Sequence, residues 1–297
     1  MVDDLLAFDR PRPEFEPGLA ESLRRRMEEA LGPVATALER PLRTSKNGLA
    51  NVHTCEAYYR AEKDSFAWAP RTAVGTVAHR ALRLSIALGG DQAPLDLVEM
   101  AIGAFTDEDE VESLGAWLRA APLPALAELR AEANERVVLF QECFPPLRRE
   151  WRPRTDTPIV VSLCGDLVSL RGRPDLAFGR ARGRQAGVVI VDLKTGGSYG
   201  SHFDDLRFYA LLQTLKTGVP PYRVATYYLD SATFHAEDVT PAILEIAARR
   251  TVDGIRKIAR LVDPSSTAAL SPGRACRWCR LRHDCDGPAR LADQDDD

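Results

Sequence analysis

The spacing of apolar and polar positions changes about halfway along the chain. Up to residue 145 the apolar residues recur mostly at helical spacing, and from 158 onward short β-rich runs appear between helical ones. Residues 1–45 are interrupted by proline and contain one predicted amphipathic helix near 18–30. "TAVGTVAHRALRLSIALGG" (72–90) reads as a helix stopped by Gly89 and Gly90. Residues 94–145 read as two or three helices broken at Gly115, Pro122 and Pro124. "PIVVSLCGDLVSLRGRPDLAFG" (158–179) then has the composition of a hairpin with Gly and Arg-Gly turns. "GVVIVDL" (187–193) is apolar without alternation over Val188 to Val191, the pattern of a strand buried on both faces. "FDDLRFYALLQTLKTG" (203–218) is a helix with a glycine stop, "YRVATYYLD" (222–230) a strand, and "PAILEIAARRTVDGIRKIARLV" (241–262) a helix. Helices followed by β-β-β-α-β and a further helix predict an α/β fold, a mixed sheet with helices on its faces.

Composition narrows the classes. The chain has 297 residues, 45% hydrophobic and 28% charged, which is ordinary for a globular protein. No apolar run reaches the ~18 residues of a membrane span, and the acidic opening "MVDDLLAFDR" lacks a secretory core. A cytoplasmic protein without membrane contact is expected. The net charge of −4 argues at first against nucleic acid. Distribution matters more than the sum. Acid gathers in "FTDEDEVES" (105–113) and in the final "DQDDD", while arginine gathers in 147–154, 171–184 and 274–282. One such cluster is usually a solvated face; three of them, each flanking a candidate site, fit a polyanionic partner. Only five of the 39 cations are lysines, so a lysine at a chemically exposed position stands out.

Lys194 is such a lysine. Asp192 and Lys194 are two residues apart at the end of the buried run and therefore share a face. Asp175 follows Pro174 and opens the second arm of the hairpin or the strand after it. If that strand neighbours 187–194, the two carboxylates meet across one inter-strand spacing of about 4.8 Å. Converging carboxylates suit Mg²⁺ or Mn²⁺, which prefer oxygen ligands. A cation beside them can orient or deprotonate the attacking water, so the set reads as a phosphodiester hydrolysis site. A single D-x-K is usually a salt bridge and a single P-D usually a turn. Their order on two adjacent strands carries the reading.

Six cysteines complete the candidate chemistry, and a disulfide framework is not expected in a cytoplasmic chain of this size. Cys143 and Cys164 lie in apolar sequence and read as buried thiols. Cys276, Cys279 and Cys285 form C-x2-C-x5-C, the spacing of a metal centre, and Cys55, more than 200 residues earlier, is the candidate fourth ligand. Zn²⁺ could be held by four thiolates, or with His283 or His53 replacing one. Thiolates alone do not separate zinc from iron–sulfur. A link across so long a loop removes unfolded-state entropy.

"GRPD" (172–175), followed 17 positions after Asp175 by "DLK" (192–194), resembles motifs II and III of the PD-(D/E)XK nuclease superfamily, and more narrowly its RecB-like branch. "GTVAHRAL" (75–82) resembles that branch's GT..H helix. "NGLANVHTCEAYYR" (47–60) resembles its opening motif, with Glu56 in place of the usual proline. The resemblance spans roughly 45–287. It implies a restriction-endonuclease-like mixed β-sheet core flanked by helices, an N-terminal helical region, and a cysteine-rich module joining the chain ends. Four segments follow: an extension at 1–44, a helical region at 45–150 with Cys55 and the GT..H helix, the nuclease core at 151–262, and the cysteine module with an acidic tail at 263–297. The resemblance implies His79, Asp175 and Asp192 as ligands of Mg²⁺ or Mn²⁺, with Lys194 catalytic. Glu150 in "RREW" is then the acidic residue before motif II. Tyr209 matches the tyrosine of Q-x-x-x-Y, with Asp205 where glutamine is expected. One early cysteine and three late ones is the arrangement of iron–sulfur members such as AddB-type helicase-nucleases and CRISPR-associated adaptation nucleases. This implies a 4Fe–4S cluster on Cys55, Cys276, Cys279 and Cys285. The expected function is a DNA nuclease, an exonuclease more than an endonuclease, serving DNA repair, CRISPR adaptation, phage DNA processing or defence. No G-x-x-x-x-G-K-[ST] helicase loop is present, so unwinding would need a partner. A non-catalytic nucleic-acid-binding or assembly module on the same fold, or an RNA nuclease, are the alternatives.

Overall fold

In the computed structural model, which describes residues 2–7, 9–62, 67–107, 113–144, 147–197 and 200–287, helices form wherever apolar residues repeat on one face. The chain opens with α1 (Val2–Leu6), α2 (Leu19–Thr36) and a short strand, β1 (Leu42–Ser45). α3 (Lys46–Thr54) and α4 (Glu56–Glu62) follow, separated by an extended Cys55. α5 (Pro70–Leu88) begins on a proline, which has no N–H to leave unpaired, and ends at Gly89 with φ 96, where a side chain would be strained. The stretch 94–145 holds three helices, α6 (Pro94–Thr106), α7 (Leu114–Ala120) and α8 (Leu123–Cys143). Gly115 is not a break. It lies in the first turn of α7, where a Cβ would stand 2.1 Å from the carbonyl oxygen of Phe105, so its small size lets α7 close onto α6.

The second half runs β2 (Arg154–Thr155), β3 (Ile159–Leu163), β4 (Val168–Gly172), β5 (Leu176–Phe178), β6 (Val189–Lys194), α9 (Ser201–Thr217), β7 (Arg223–Tyr228), β8 (Thr233–Asp238) and α10 (Pro241–Arg260). The strands divide between two sheets. β3 and β4 make the expected hairpin, and β1 joins parallel to β4. After Pro174 the chain leaves that sheet, and β5 enters a second one ordered β2-β5-β6-β7-β8. There β5 is antiparallel to β6, and β6 is parallel to β7 through the crossover helix α9. The result is the mixed α/β architecture, with sheets flanked by helices.

The continuous apolar run of β6 has a plain cause. Val189, Val191 and Leu193 belong to a core shared with α5, α6 and α8, while Val188 and Ile190 belong to a second core shared with α2, α9 and α10. Asp192 and Lys194 continue the second set, so both side chains leave the sheet toward α9. α2 belongs to the same core: its Leu23, Met27 and Leu31 are buried among residues of β3, α9 and α10. Each such side chain contributes about 1.5–3 kcal/mol of burial.

Candidate active site

The antiparallel ladder pairs Leu176 with Val191, so the next step outward sets Asp175 beside Asp192 at the sheet's end. Each carboxylate is held separately. Asp175 accepts a hydrogen bond from the Leu193 amide at 2.8 Å, and its other oxygen lies 3.0 Å from His79 Nδ1, which α5 brings in. Asp192 is 1% exposed and faces two ammonium groups, Lys46 Nζ at 2.9 Å and Lys194 Nζ at 2.8 Å. Asp205 on α9 closes the network, 3.0 Å from Lys194 and 3.8 Å from Lys46. One turn further, Tyr209 is buried under the site and donates to the carbonyl of Arg173 at 3.1 Å, fixing the segment that leads into Asp175.

The charges explain why so polar a cluster survives burial. Burial alone would raise the Asp192 carboxyl, but Lys46 and Lys194 outweigh it and hold it at about 2. Burial would likewise lower Lys46, yet Asp192, Asp205 and Asp175 push it up to about 12. Burial, reinforced by Asp192 and Asp175, drives the Tyr209 phenol strongly upward, so it remains a neutral donor.

Two carboxylates at the ends of adjacent strands are oxygen donors of the kind that hard divalent ions take, with the imidazole of His79 beside one of them. Lys194 meets the second, buried oxygen of Asp192 as an ion pair at 2.8 Å. As the side chains stand, no group of three His, Cys, Asp or Glu among the described residues is arranged to hold a metal ion. The two ammonium groups supply the positive charge beside Asp192.

Thus the fold brings Asp175, Asp192, Lys194, His79 and Tyr209 together. Glu150 stands apart from them. It lies on a 3₁₀ turn (Arg149–Trp151), its side chain is 70% exposed, and it pairs with Arg148 at 3.5 Å. The turn is tied to the end of β5 away from Asp175, where Gly179 N donates to Trp151 O. The sequence reading missed Lys46 altogether and noted Asp205 only as a departure. The scarcity of lysine that marked Lys194 marks Lys46 equally: two of five lysines meet on one carboxylate.

Cys55, Cys276, Cys279 and Cys285 line one small cavity with Tyr58, Leu270 and Leu281. Backbone N–H groups of Gly273 and Gly287 lie 3.4 Å from the sulfurs of Cys276 and Cys285. Burial, partly offset by the Leu281 N–H, and the other three cysteines push the Cys279 thiol upward. Neither histidine substitute lines this cavity: His53 bonds the Arg250 carbonyl at 3.0 Å, and His283 is exposed. Glu56, in place of the usual proline, is buried and accepts from Ala269 N at 2.8 Å and from Arg260, anchoring α4 to the approach of the cysteine module. Cys143 and Cys164 are half-buried rather than fully buried.

A model of the PD-(D/E)XK nuclease superfamily matches residues 43–286. No curated protein matches the chain. Among solved structures, a protein named SSO0001 aligns at 13% identity over 90% of this chain and 95% of its own, with a TM-score of 0.39. A structure of Eubacterium rectale named "Putative exonuclease" aligns at 14% identity over 90% of this chain and 94% of its own, with a TM-score of 0.49.

Proposed function

Because the chain belongs to the PD-(D/E)XK nuclease superfamily, we propose that it is a divalent-metal-dependent DNA nuclease of the RecB-like branch that trims DNA ends in the cytoplasm. The observation that carries the reading is the pairing of Asp175 and Asp192 on adjacent strands, with Lys194 2.8 Å from one and His79 3.0 Å from the other. Asp175, Asp192 and His79 would hold Mg²⁺ or Mn²⁺, which when bound polarises the scissile phosphate. Lys194 orients the attacking water and stabilises charge growing on the phosphate, and Asp205 holds its ammonium in place. Lys46 supplies the charge Asp192 needs before metal arrives. Tyr209 is a positioning residue: its hydroxyl holds the Arg173 carbonyl ahead of Asp175, and its ring lies 5.0 Å from the Lys46 ammonium.

The shared thiol cavity supports a structural 4Fe–4S cluster on Cys55, Cys276, Cys279 and Cys285, with Zn²⁺ as the alternative. Such a cluster would staple α3 and α4 to the end of the chain. Repair, CRISPR adaptation, phage DNA processing and defence are the settings this chemistry suits, with a helicase as partner where duplex must be opened. The test is cleavage of labelled DNA with Mn²⁺ and with chelator, by the parent and by Asp175→Asn and Asp192→Asn. Cleavage that needs metal and vanishes in both variants supports the reading. No cleavage by the parent leaves a non-catalytic nucleic-acid module, and cleavage of RNA alone an RNA nuclease.

A further inference from the structure

At the end of the five-stranded sheet opposite the carboxylates, separate stretches of chain bring arginines together. Arg12 comes from the segment before α2, Arg149 and Arg152 from the 3₁₀ turn and its exit, and Arg180 and Arg182 from the β5–β6 connection. They line one open concavity of about 690 Å³ with Glu150 and Gln185. The backbone enforces the convergence. Gly179 N donates to Trp151 O at 2.7 Å, and Ala186 N donates to Pro13 O at 2.9 Å. A Cβ on Gly179, at φ 72, would stand 2.1 Å from Gly187 O, and one on Gly187 would stand 2.0 Å from Arg180 O. Only glycine lets these segments close.

The charge there is not balanced. Four exposed guanidinium groups, of Arg149, Arg152, Arg180 and Arg182, face one carboxylate, which is engaged with Arg148, while Arg12 lies over the Tyr222 ring at 3.9 Å. Among the described residues Arg149, Arg152, Arg180 and Arg182 have no ion-pair partner. A chain of net charge −4 had acid to spare for them, yet the fold gathers exposed cations that repel one another. A multiply charged anion relieves that repulsion, and the guanidinium fork matches phosphate oxygens. We propose that this concavity is a second, non-catalytic binding site for the phosphate backbone of the nucleic acid whose scissile bond lies at Asp175 and Asp192. The proposal rests on the nuclease reading for its ligand.

Spacing gives the consequence. Gly187 precedes Asp192 by five residues of extended chain, which is roughly 17 Å at about 3.3 Å per residue. That is about five steps of 3.4 Å along one strand of a duplex. Exposed Arg154, which donates to Gly179 O at 3.1 Å, lies on the way. A polynucleotide reaching both places binds through both, and a short one cannot. With no aromatic face and Gln185 the one side-chain amide among its lining residues, the concavity holds the strand by phosphates and not by base identity.

The test compares the parent with a variant carrying Arg149→Glu, Arg180→Glu and Arg182→Glu, all exposed positions, with circular dichroism to check folding. Binding to oligothymidylates of about 3 and about 25 nucleotides is measured by fluorescence anisotropy in chelator across a salt series. The parent should bind the long oligomer at least about tenfold more tightly than the short one, and the variant should lose most of that gain. Its salt slope should fall by about 2, from three phosphate contacts at about 0.7 each. Cleavage of the short oligomer with Mn²⁺ should be unchanged. A variant that keeps the parent's length dependence and salt slope overturns the proposal. So does a parent that binds phosphatidylglycerol vesicles yet shows no length dependence toward DNA. Length-dependent binding lost in the variant, in a protein that cleaves nothing, keeps this site and rejects the nuclease reading instead.

Discussion

Replacing Lys46 with methionine tests the electrostatic account of the site. Methionine keeps most of the stem and removes the ammonium that lies 2.9 Å from Asp192 and 3.8 Å from Asp205. Removing one partner of a buried ion pair costs about 3–5 kcal/mol when the other is left alone. Asp192 is not left alone, because Lys194 stays 2.8 Å away. The loss is closer to one charge-assisted hydrogen bond, about 2 kcal/mol. In a protein of 297 residues, at about 2.1 cal/mol/K of unfolding entropy per residue, that lowers the melting temperature in chelator by roughly 3 °C. Metal should then reverse the effect. A unit charge about 4 Å away is worth as much as ~4 kcal/mol at an effective dielectric constant of 20. Even a third of that, once the competing ammonium is gone, tightens Mn²⁺ binding about tenfold. Melting curves in chelator and in Mn²⁺, with calorimetric titration of Mn²⁺, read both effects. A variant that melts like the parent in chelator, or that binds Mn²⁺ no more tightly, refutes the idea that Lys46 holds the place of metal charge.

The other predictions concern the second lysine and the cysteine module. Lys194→Arg should lose nearly as much single-turnover cleavage as Lys194→Ala while keeping DNA binding, because the planar guanidinium crowds the water and cannot act as a base; parental cleavage by the arginine variant would reduce Lys194 to a surface-type counter-ion. Anaerobically purified protein should contain iron and sulfide, and alanine at Cys55, Cys276, Cys279 or Cys285 should lower thermal stability, whereas Cys143→Ala should behave as an ordinary half-buried truncation; stoichiometric zinc without iron rejects the cluster. Burial works against the Glu56 carboxylate, but Arg260 and the Ala269 amide outweigh it and hold its pKa below the usual range. Its stabilisation is therefore fully present above the ordinary glutamate value of about 4.3 and is lost as pH falls through the lower folded value. Glu56→Gln should lower stability at neutral pH and flatten that acid limb in pH-dependent denaturation; an unchanged pH profile would contradict this.

Local pattern carried much of the molecule. The glycine stops at Gly89 and Gly218, the unbroken apolar run of β6 and the amphipathic period of α10 are written in neighbouring residues, because helix and strand periods are properties of the backbone itself. The same rule placed Asp192 and Lys194 on one face, and the order of short motifs singled out Asp175, His79 and the four cysteines. Pairing across the fold was not written there. Only the tertiary structure moved β5 out of its hairpin sheet and beside β6, and only it recruited β1 and β8, one too short and the other too polar to read as strands. It brought Lys46 to Asp192 across 146 residues, and it tied the turn that carries Glu150 to the end of β5 away from Asp175. It also folded parts of two arginine clusters and Arg12 into one concavity, although the sequence showed them as separate stretches. Periodicity tells a residue which face it occupies. Which other segment meets that face is decided by long-range packing, whose two cores on either side of β6 no local window contains.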